Sequence, residues 1–329
     1  MKHQANRRKW SQAVVSILGA GLLMSVPLAH AQDYPQKPIR IVVHYTAGGA
    51  SDIMAREIAA RLSPRLGQPV VIDNRPGGNG HIGIEFAARS APDGYTLLLV
   101  GSPIVISPAM YKRLPFDSVK DFAPVTLLAK TPIVMVAARD FPAANAAEFI
   151  ALAKSKPAKT YAYASASPAF QLSTEMMAAQ AGISLLPVRY KGVVEGRTDV
   201  LAGRVAIMGD SVGAALPLIK SGQLKALAQL GKTRIAQLPD VPTMEESGLR
   251  GYDIQAWAGL VAPAGTPAPI INRLNAEVIR ILEQQDFKDK FVSMGFYAEG
   301  SSPAALGDLI KRDIAVYKEA AKHANIEPE

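Results

Sequence analysis

The chain has 329 residues, no cysteine and a formal net charge of +8 at pH 7. The lack of cysteine excludes disulfides, thiolate metal sites and a cysteine nucleophile. Four cations and no acidic residue lie in the first 31 residues, so the rest of the chain carries a net charge of +8 − 4 = +4. This mild charge, with no basic stripe interleaved with aromatic residues, removes nucleic acid from the expected partners.

The first 31 residues have the pattern of a secretory signal peptide. A basic start is followed by a mostly apolar stretch, residues 13–29, and by the cleavage pattern Ala29-His30-Ala31. The apolar stretch is shorter than the roughly 20 residues that a membrane span needs, and no comparable run follows. We therefore predict cleavage after Ala31, export to a bacterial periplasm and a mature chain that is not embedded in a membrane. An uncleaved anchor is the alternative.

The rest of the chain alternates short apolar runs, typical of strands, with segments of helical periodicity. Strands are predicted at residues 39–45, 70–73, 96–101, 125–128, 133–138, 161–165, 186–190, 205–208, 226–230, 256–262 and 296–298. Helices are predicted at residues 52–63, 82–89, 146–155, 170–181, 198–202, 212–221, 267–285 and 303–322. The strands are continuous apolar runs, which indicate burial on both faces of a sheet. The alternation predicts an α/β fold with doubly wound, mostly parallel sheets.

Five predicted strand ends are rich in glycine and hydroxyl groups, and ligands of doubly wound sheets bind at such ends. In residues 44–52, Gly48 and Gly49 would let the backbone approach a ligand. The helix that follows offers unpaired N–H groups and a positive dipole end to an anion. An ordinary turn capped by Ser51 is the alternative. The other four ends are Gly101-Ser102-Pro103, Tyr163-Ala164-Ser165-Ala166-Ser167-Pro168, Arg189-Tyr190-Lys191-Gly192 and Gly209-Asp210-Ser211.

At two of these strand ends, the polar residues have an alternative role to ligand binding. Ser165 and Ser167 either bond a ligand or cap the helix that follows them. Arg189 and Lys191 place two cations at one strand end, and together with Arg197 they are expected to complement an anionic ligand. An exposed pair between Arg197 and a nearby glutamate is the alternative for that side chain.

Catalytic chemistry has little support in the sequence. Only His44, His81 and His323 follow residue 31, no two of them have metal-ligand spacing, and there is no G-x-S-x-G elbow. We predict no metal site, no cofactor and no enzymatic activity. A periplasmic hydrolase is the alternative from another class of function.

A series of short motifs runs along the whole mature chain. They are Lys37-Pro38-Ile39-Arg40, Gly48-Gly49 with Asp52, Asp73-Asn74-Arg75-Pro76-Gly77, Ala91-Pro92-Asp93-Gly94-Tyr95, Asp121-Phe122-Ala123-Pro124-Val125, Tyr163-Ala164-Ser165, Tyr190-Lys191-Gly192, Leu238-Pro239-Asp240-Val241-Pro242-Thr243, and Trp257 before Ala262-Pro263-Ala264-Gly265-Thr266-Pro267. In their order and spacing the chain resembles the Bug family, the periplasmic substrate-binding proteins of tripartite tricarboxylate transporters.

The resemblance implies a two-lobed periplasmic binding protein of the Venus-flytrap, type II-like kind that closes on a small carboxylate. Residues 32–131 and 253–329 would form lobe 1 and residues 132–252 lobe 2, with crossings near residues 129–132 and 238–257. The implied protein is a monomer without a cofactor, and its partners are a small organic acid and inner-membrane permease subunits. A receptor of the same fold that feeds a sensor kinase is the alternative.

The expected ligand-binding residues come from the strand ends and from this resemblance. They are Tyr45, Thr46, Ala47, Gly48, Gly49, Ser51, Ser102, Ser165, Ala166, Ser167, Arg189, Tyr190, Lys191, Gly192 and Asp210. Asp52, Gln171, Arg197 and Trp257 are expected to support the site, with the Asp52 carboxylate turned back onto its own helix or a neighbouring loop. The chain departs from the family at Arg189, which replaces a usual proline, and at residues 193–197, where the family is small and apolar.

Overall fold

The computed structural model describes residues 34–190, 192–323, 326 and 328, and Lys37–Glu329 form one compact unit. The predicted signal peptide and Lys191 lie outside the described residues. Among the residues that are described, no helix combines the length and the apolar character that crossing a membrane would require.

Strands and helices alternate along most of the chain, which confirms the predicted α/β class. The strands are β1 (Ile39–Val43), β2 (Val70–Asn74), β3 (Thr96–Val100), β4 (Phe122–Thr131), β5 (Ile133–Ala138), β6 (Ala162–Ser165), β7 (Leu186–Arg189), β8 (Ile207–Ser211), β9 (Leu224–Gln229), β10 (Ala256–Pro263) and β11 (Tyr297–Ala298). The helices are α1 (Ala50–Leu66), α2 (His81–Ala88), α3 (Ser102–Met110), α4 (Ala146–Lys154), α5 (Pro168–Ala181), α6 (Val193–Leu201), α7 (Val212–Lys220), α8 (Ala268–Leu282), α9 (Gln285–Ser293) and α10 (Pro303–His323).

The strands form two sheets, which divide the chain at the junction of β4 and β5. The first sheet has the order β11-β4-β10-β3-β1-β2, and the second has the order β7-β6-β8-β5-β9. Only Pro132 separates β4 in the first sheet from β5 in the second, and the chain returns to the first sheet between β9 and β10. We keep the predicted lobe boundaries as a proposal, since they would give one sheet to each lobe.

The prediction of mostly parallel sheets is wrong, because both sheets are mixed. Among the strand pairs in the described part of the chain, β1–β2, β1–β3, β6–β7 and β6–β8 are parallel. The pairs of β10 with β3 and β4, of β11 with β4, and of β5 with β8 and β9 are antiparallel. A continuous apolar run reports burial on both faces but carries no information on strand direction. Each of the five antiparallel pairs contains β4, β5 or β10, the strands at the points where the chain passes between the two sheets.

Apolar side chains also connect the two halves of the unit. Leu172 on α5, which follows β6 of the second sheet, belongs to a core cluster that also contains Ile104 and Val105 of α3 and Leu306 of α10. Elsewhere, Gly213 of α7 lies against Gly295, where a Cβ on Gly213 would stand 2.8 Å from the Gly295 Cα. These contacts bring α5 and α7 of the second half against elements of the first.

Candidate functional site

The loop between β1 and α1 presents a helix N-terminus without a side-chain cap. Gly49 is the N-cap residue, in an extended conformation, and Gly48 before it has φ = +81°, a region that favours glycine. Ser51 is therefore not the N-cap, contrary to the alternative interpretation of this loop. The first N–H groups of α1 have no partner within the helix, and Thr46, Ala47 and Gly48 are exposed to solvent. This end of the helix is open to an anion.

Asp52, in the first turn of α1, is buried and folds back onto the loop, as we predicted. Its Oδ2 accepts hydrogen bonds from the Gly48 N–H at 2.8 Å and from Arg56 Nε at 2.9 Å. Its Oδ1 accepts a bond from Asn74 Nδ2 at 2.9 Å, and the same amide reaches the Tyr45 carbonyl oxygen at 3.3 Å. The Arg56 side chain is the main reason why the pKa of Asp52 falls to about 2. The carboxylate thus holds the loop and has its charge balanced by Arg56.

His44, just before this loop, was not predicted as part of the site. It exposes only 2% of its surface, and neither ring nitrogen has a hydrogen-bond partner within the described residues. The ring packs on Tyr45, with centroids 4.0 Å apart, and on Gly80, where a Cβ would lie 2.8 Å from Nδ1. Burial lowers the pKa of His44 to about 4, so the ring is neutral at ordinary pH and supports the loop by packing.

Tyr45 connects the first loop to two other strand ends. A Cβ on Gly101 would lie 3.8 Å from the Tyr45 hydroxyl oxygen and 3.4 Å from the Trp257 carbonyl oxygen. Ser102, the first residue of α3, follows directly. Tyr45 exposes 37% of its surface, and burial of its hydroxyl end raises its pKa to about 12, which keeps the phenol neutral. The Trp257 indole points elsewhere and donates to Asp313 Oδ2 at 2.7 Å.

The loop after β6 turns most of its polar groups inward. Ser167 is the N-cap of α5 and accepts a bond from the Phe170 N–H at 3.3 Å, so the capping alternative is correct for this serine. Ser165 is buried, and its hydroxyl donates to Gln171 Oε1 at 3.0 Å. Ala166 is buried between them. Gln171 therefore braces the loop, which is a supporting role.

The loop after β7 begins with a tyrosine whose hydroxyl is already engaged. Tyr190 donates from its N–H to the Ser165 carbonyl oxygen at 3.1 Å and from its hydroxyl to Asp199 Oδ2 at 2.7 Å. Arg189 is exposed, and Gly192 is the N-cap of α6 with no side-chain cap. Lys191 lies outside the described residues. The ring and backbone of Tyr190, rather than its hydroxyl, remain as surfaces for a ligand.

Half-buried Arg197 and buried Asp210 form a bidentate ion pair at the end of β8. Arg197 Nε donates to Asp210 Oδ2 at 2.6 Å, and Nη2 donates to Oδ1 at 3.0 Å. Asp210 Oδ1 also accepts a bond from the Ser211 N–H at 2.8 Å. The side chains expose 18% and 1% of their surfaces. Both carboxylate oxygens of Asp210 are thus occupied, and the exposed-pair alternative for Arg197 is wrong.

The geometry gathers the predicted residues into two groups. In the first group, Tyr45 joins the loop after β1 to Gly101 and the start of α3. In the second group, the loops after β6, β7 and β8 are joined by Ser165, Tyr190 and the Arg197–Asp210 pair. Each group combines a helix N-terminus without a side-chain cap with a buried aspartate that is paired with an arginine. Such a surface suits binding of a small anion.

The sequence matches a family model described as the tripartite tricarboxylate transporter family receptor over residues 54–324. Three solved structures are similar along nearly their whole length. The periplasmic binding protein BugD is 33% identical, with a TM-score of 0.71 and coverage of 90% of this chain and 100% of BugD. Rpa4515 of R. palustris with adipate is 32% identical, with a TM-score of 0.74 and coverage of 90% and 100%.

MatC of Rhodopseudomonas palustris with bound malate is 30% identical, with a TM-score of 0.70 and coverage of 87% of this chain and 99% of MatC. The agreement with periplasmic binding proteins confirms the predicted fold, and the agreement with BugD confirms the resemblance seen in the motifs. The chain belongs to the tripartite tricarboxylate transporter receptor family, which includes the Bug proteins.

Proposed function

We propose that this protein is a periplasmic receptor, not an enzyme, that binds a small carboxylate between two lobes. It would act as a monomer and deliver the acid to the inner-membrane permease subunits of a tripartite tricarboxylate transporter. Support comes from the family and from two relatives of about 30% identity that hold adipate and malate. The observation that carries the proposal is the N-terminus of α1, which has no side-chain cap and whose first-turn carboxylate, Asp52, is already bound by the Gly48 N–H and paired with Arg56.

The mechanism is a shift between open and closed forms. A ligand stabilises the closed form by as much as it binds that form better than the open one. One carboxylate would lie at the loop of residues 46–51, held by backbone N–H groups and by the Thr46 or Ser51 hydroxyl, directly or through water. The second group of loops, around Ser165, Tyr190 and Gly192, would contact the ligand from the other lobe. No covalent step is needed.

Replacing Gly49 by valine tests the role of the first loop. Gly49 has φ = −77°, which any residue adopts, so the fold should persist. The branched side chain should nevertheless block the approach to the helix N-terminus and weaken carboxylate binding about tenfold, which is about 1.4 kcal/mol. Calorimetry gives the affinity and circular dichroism checks the fold.

Gly49→Ala is the matched control, because its Cβ would stand 3.4 Å from the Thr46 carbonyl oxygen and needs little adjustment. It should bind within about twofold of the unchanged protein. If Gly49→Val folds normally and keeps full affinity, the loop is only a turn.

A further inference from the structure

The Arg197–Asp210 pair offers a specific polar group to a ligand at the second set of loops. Arg197 lies on α6, and Asp210 lies near the end of β8. Gly196 packs against the end of β6, because a Cβ on it would stand 3.1 Å from the Ala164 Cβ and 3.3 Å from the Ala166 Cβ. Arg197 is the next residue, and its guanidinium crosses to Asp210 at the end of β8. The guanidinium therefore sits at the carboxyl ends of β6 and β8, where ligands bind in sheets of this kind.

Only one edge of this guanidinium is used. Arginine has five N–H donors in a planar fork, which matches a carboxylate with two parallel hydrogen bonds. Nε and Nη2 donate to Asp210, while Nη1 makes no hydrogen bond within the part of the chain that the structure describes. Asp210 fixes the plane of the fork. A ligand carboxylate could then meet an oriented donor without ordering a flexible side chain, which reduces the cost of binding.

The same pairing removes negative charge from the site. Asp52 and Asp210 are the buried carboxylates at these strand ends, and each is bound to an arginine, Arg56 or Arg197. Neither carboxylate is left to receive an ammonium group. An amino acid entering the site would have to bury its positive charge beside Arg197, and such an unpaired buried charge is costly.

A structural role alone explains the pair less well. A buried ion pair contributes little net stability, because desolvation of both charges offsets their attraction. Well-packed apolar residues would hold α6 against β8 equally well. The remaining exposure of Arg197, 18% of its side chain, gives it access to solvent that a buried brace would not need.

We propose that Arg197, oriented by Asp210, binds one carboxylate of a dicarboxylate ligand, and that the pair makes the receptor select dicarboxylates without an amino group. This inference rests on the proposed function, since it assigns the lobe-2 end of the same ligand. Arg197 is the ligand contact, and Asp210 is a positioning residue that acts through it.

The test uses two pairs of acids that differ at one position. L-malate and L-aspartate differ by a hydroxyl or ammonium group on the same carbon, and adipate and 2-aminoadipate differ by the presence of that ammonium group. Calorimetry on the mature protein should show malate or adipate binding at least about tenfold more tightly than its amino partner. Arg197→Met should weaken binding of the preferred dicarboxylate at least about tenfold. It should also reduce the preference for this acid over its amino partner, because the Asp210 carboxylate is then free to receive an ammonium group.

Two further variants keep the test valid if Arg197→Met fails to fold. Asp210→Asn removes the buried charge while keeping the shape, and the double variant Arg197→Met with Asp210→Asn then removes only the guanidinium. The double variant should bind the dicarboxylate at least about tenfold more weakly than Asp210→Asn. Arg234→Met is the control, because Arg234 pairs with Glu246 at an exposed position, and it should change affinity less than about twofold.

Three results would overturn the inference. The first is a folded Arg197→Met protein that binds the dicarboxylate as tightly as the unchanged protein does, or a folded double variant that binds it as tightly as Asp210→Asn does. The second is equal binding of a dicarboxylate and its amino partner by the unchanged protein. The third is the absence of binding to both malate and adipate. A wider panel of carboxylates tests the proposed function separately, so the receptor assignment survives if another acid binds.

Discussion

Lowering the pH from about 7.5 to about 5 should remove about 2 kcal/mol from the free energy of unfolding. The cause is His44, which is buried without a hydrogen-bond partner among the described residues and has its pKa lowered from 6.5 to about 4. The unfolded chain takes up a proton below pH 6.5 while the folded protein does not until about pH 4. Stability is therefore complete above the unfolded pKa and falls through this window, by roughly 3 kcal/mol in total. Urea denaturation at a series of pH values measures the loss.

His44→Phe is the control for this effect, because it keeps a ring at the position and removes the titration. Its stability should change much less between about pH 7.5 and about pH 5. A smaller slope should remain from His81, whose pKa is also lowered by burial. The carboxylates with lowered pKa values, such as Asp52, act below this window. Identical pH dependence in His44→Phe and the unchanged protein would contradict the account of His44.

Asp52→Ala should lower the free energy of unfolding by about 2 kcal/mol, because three hydrogen bonds to a carboxylate are lost. Their donors on Gly48 and Arg56 are exposed enough to find water, which limits the loss. The same change should weaken carboxylate binding about tenfold, since the Gly48 N–H then loses its side-chain acceptor and the loop loses its link to Asn74 through this carboxylate. Urea denaturation and calorimetry measure the two effects.

Glu57→Ala is the control that separates an effect on the loop from an effect on α1, the helix that follows the loop. Glu57 is also on α1, and its carboxylate pairs with Arg61 and Lys290, away from the loop. This variant should lose stability and keep its affinity. If Asp52→Ala binds carboxylates as tightly as Glu57→Ala does, the Asp52 contacts do not shape the site.

Elements with strong local signals were predictable from the sequence. The strand predicted at residues 133–138 is found at Ile133–Ala138, where its neighbours bury both faces. The helix predicted from residue 146 begins at Ala146, after Asn145, whose side chain accepts a bond from the Glu148 N–H. Both signals are local: an apolar run in one case, and a capping residue in the other.

Elements whose sequence conflicts with local rules were missed or shortened. Helix Ser102–Met110 contains two prolines, yet Pro103 lies in the first turn, where its missing N–H costs nothing. Helix Val193–Leu201 begins before the predicted start at residue 198, in a stretch where two valines and Gly196 disfavour a helix. Gly196 is needed there for the close approach to Ala164 and Ala166, which is a tertiary cause.

The candidate site was predictable as a set of strand ends, but the partners within it were not. The glycine pair, the open helix and the turned Asp52 follow from local pattern and charge. The bonds from Asn74 to Asp52 and from Arg197 to Asp210 depend on how β2 lies beside β1 and how α6 packs on β8. His44 gave no signal, because a lone histidine at a strand end has the same sequence whether it is buried or exposed.

The central claim, that the chain is a receptor for a small carboxylate, is tested most directly by binding to the protein of residues 32–329. The protein should be unfolded and refolded first, to remove any ligand carried through purification, and then titrated with mono-, di- and tricarboxylates and aromatic acids. We predict saturable one-to-one binding of at least one acid, which at about 100 times its Kd should add about 2.7 kcal/mol to the free energy of unfolding. Refolded protein that binds none of these acids, or that hydrolyses a panel of esters, would contradict the claim.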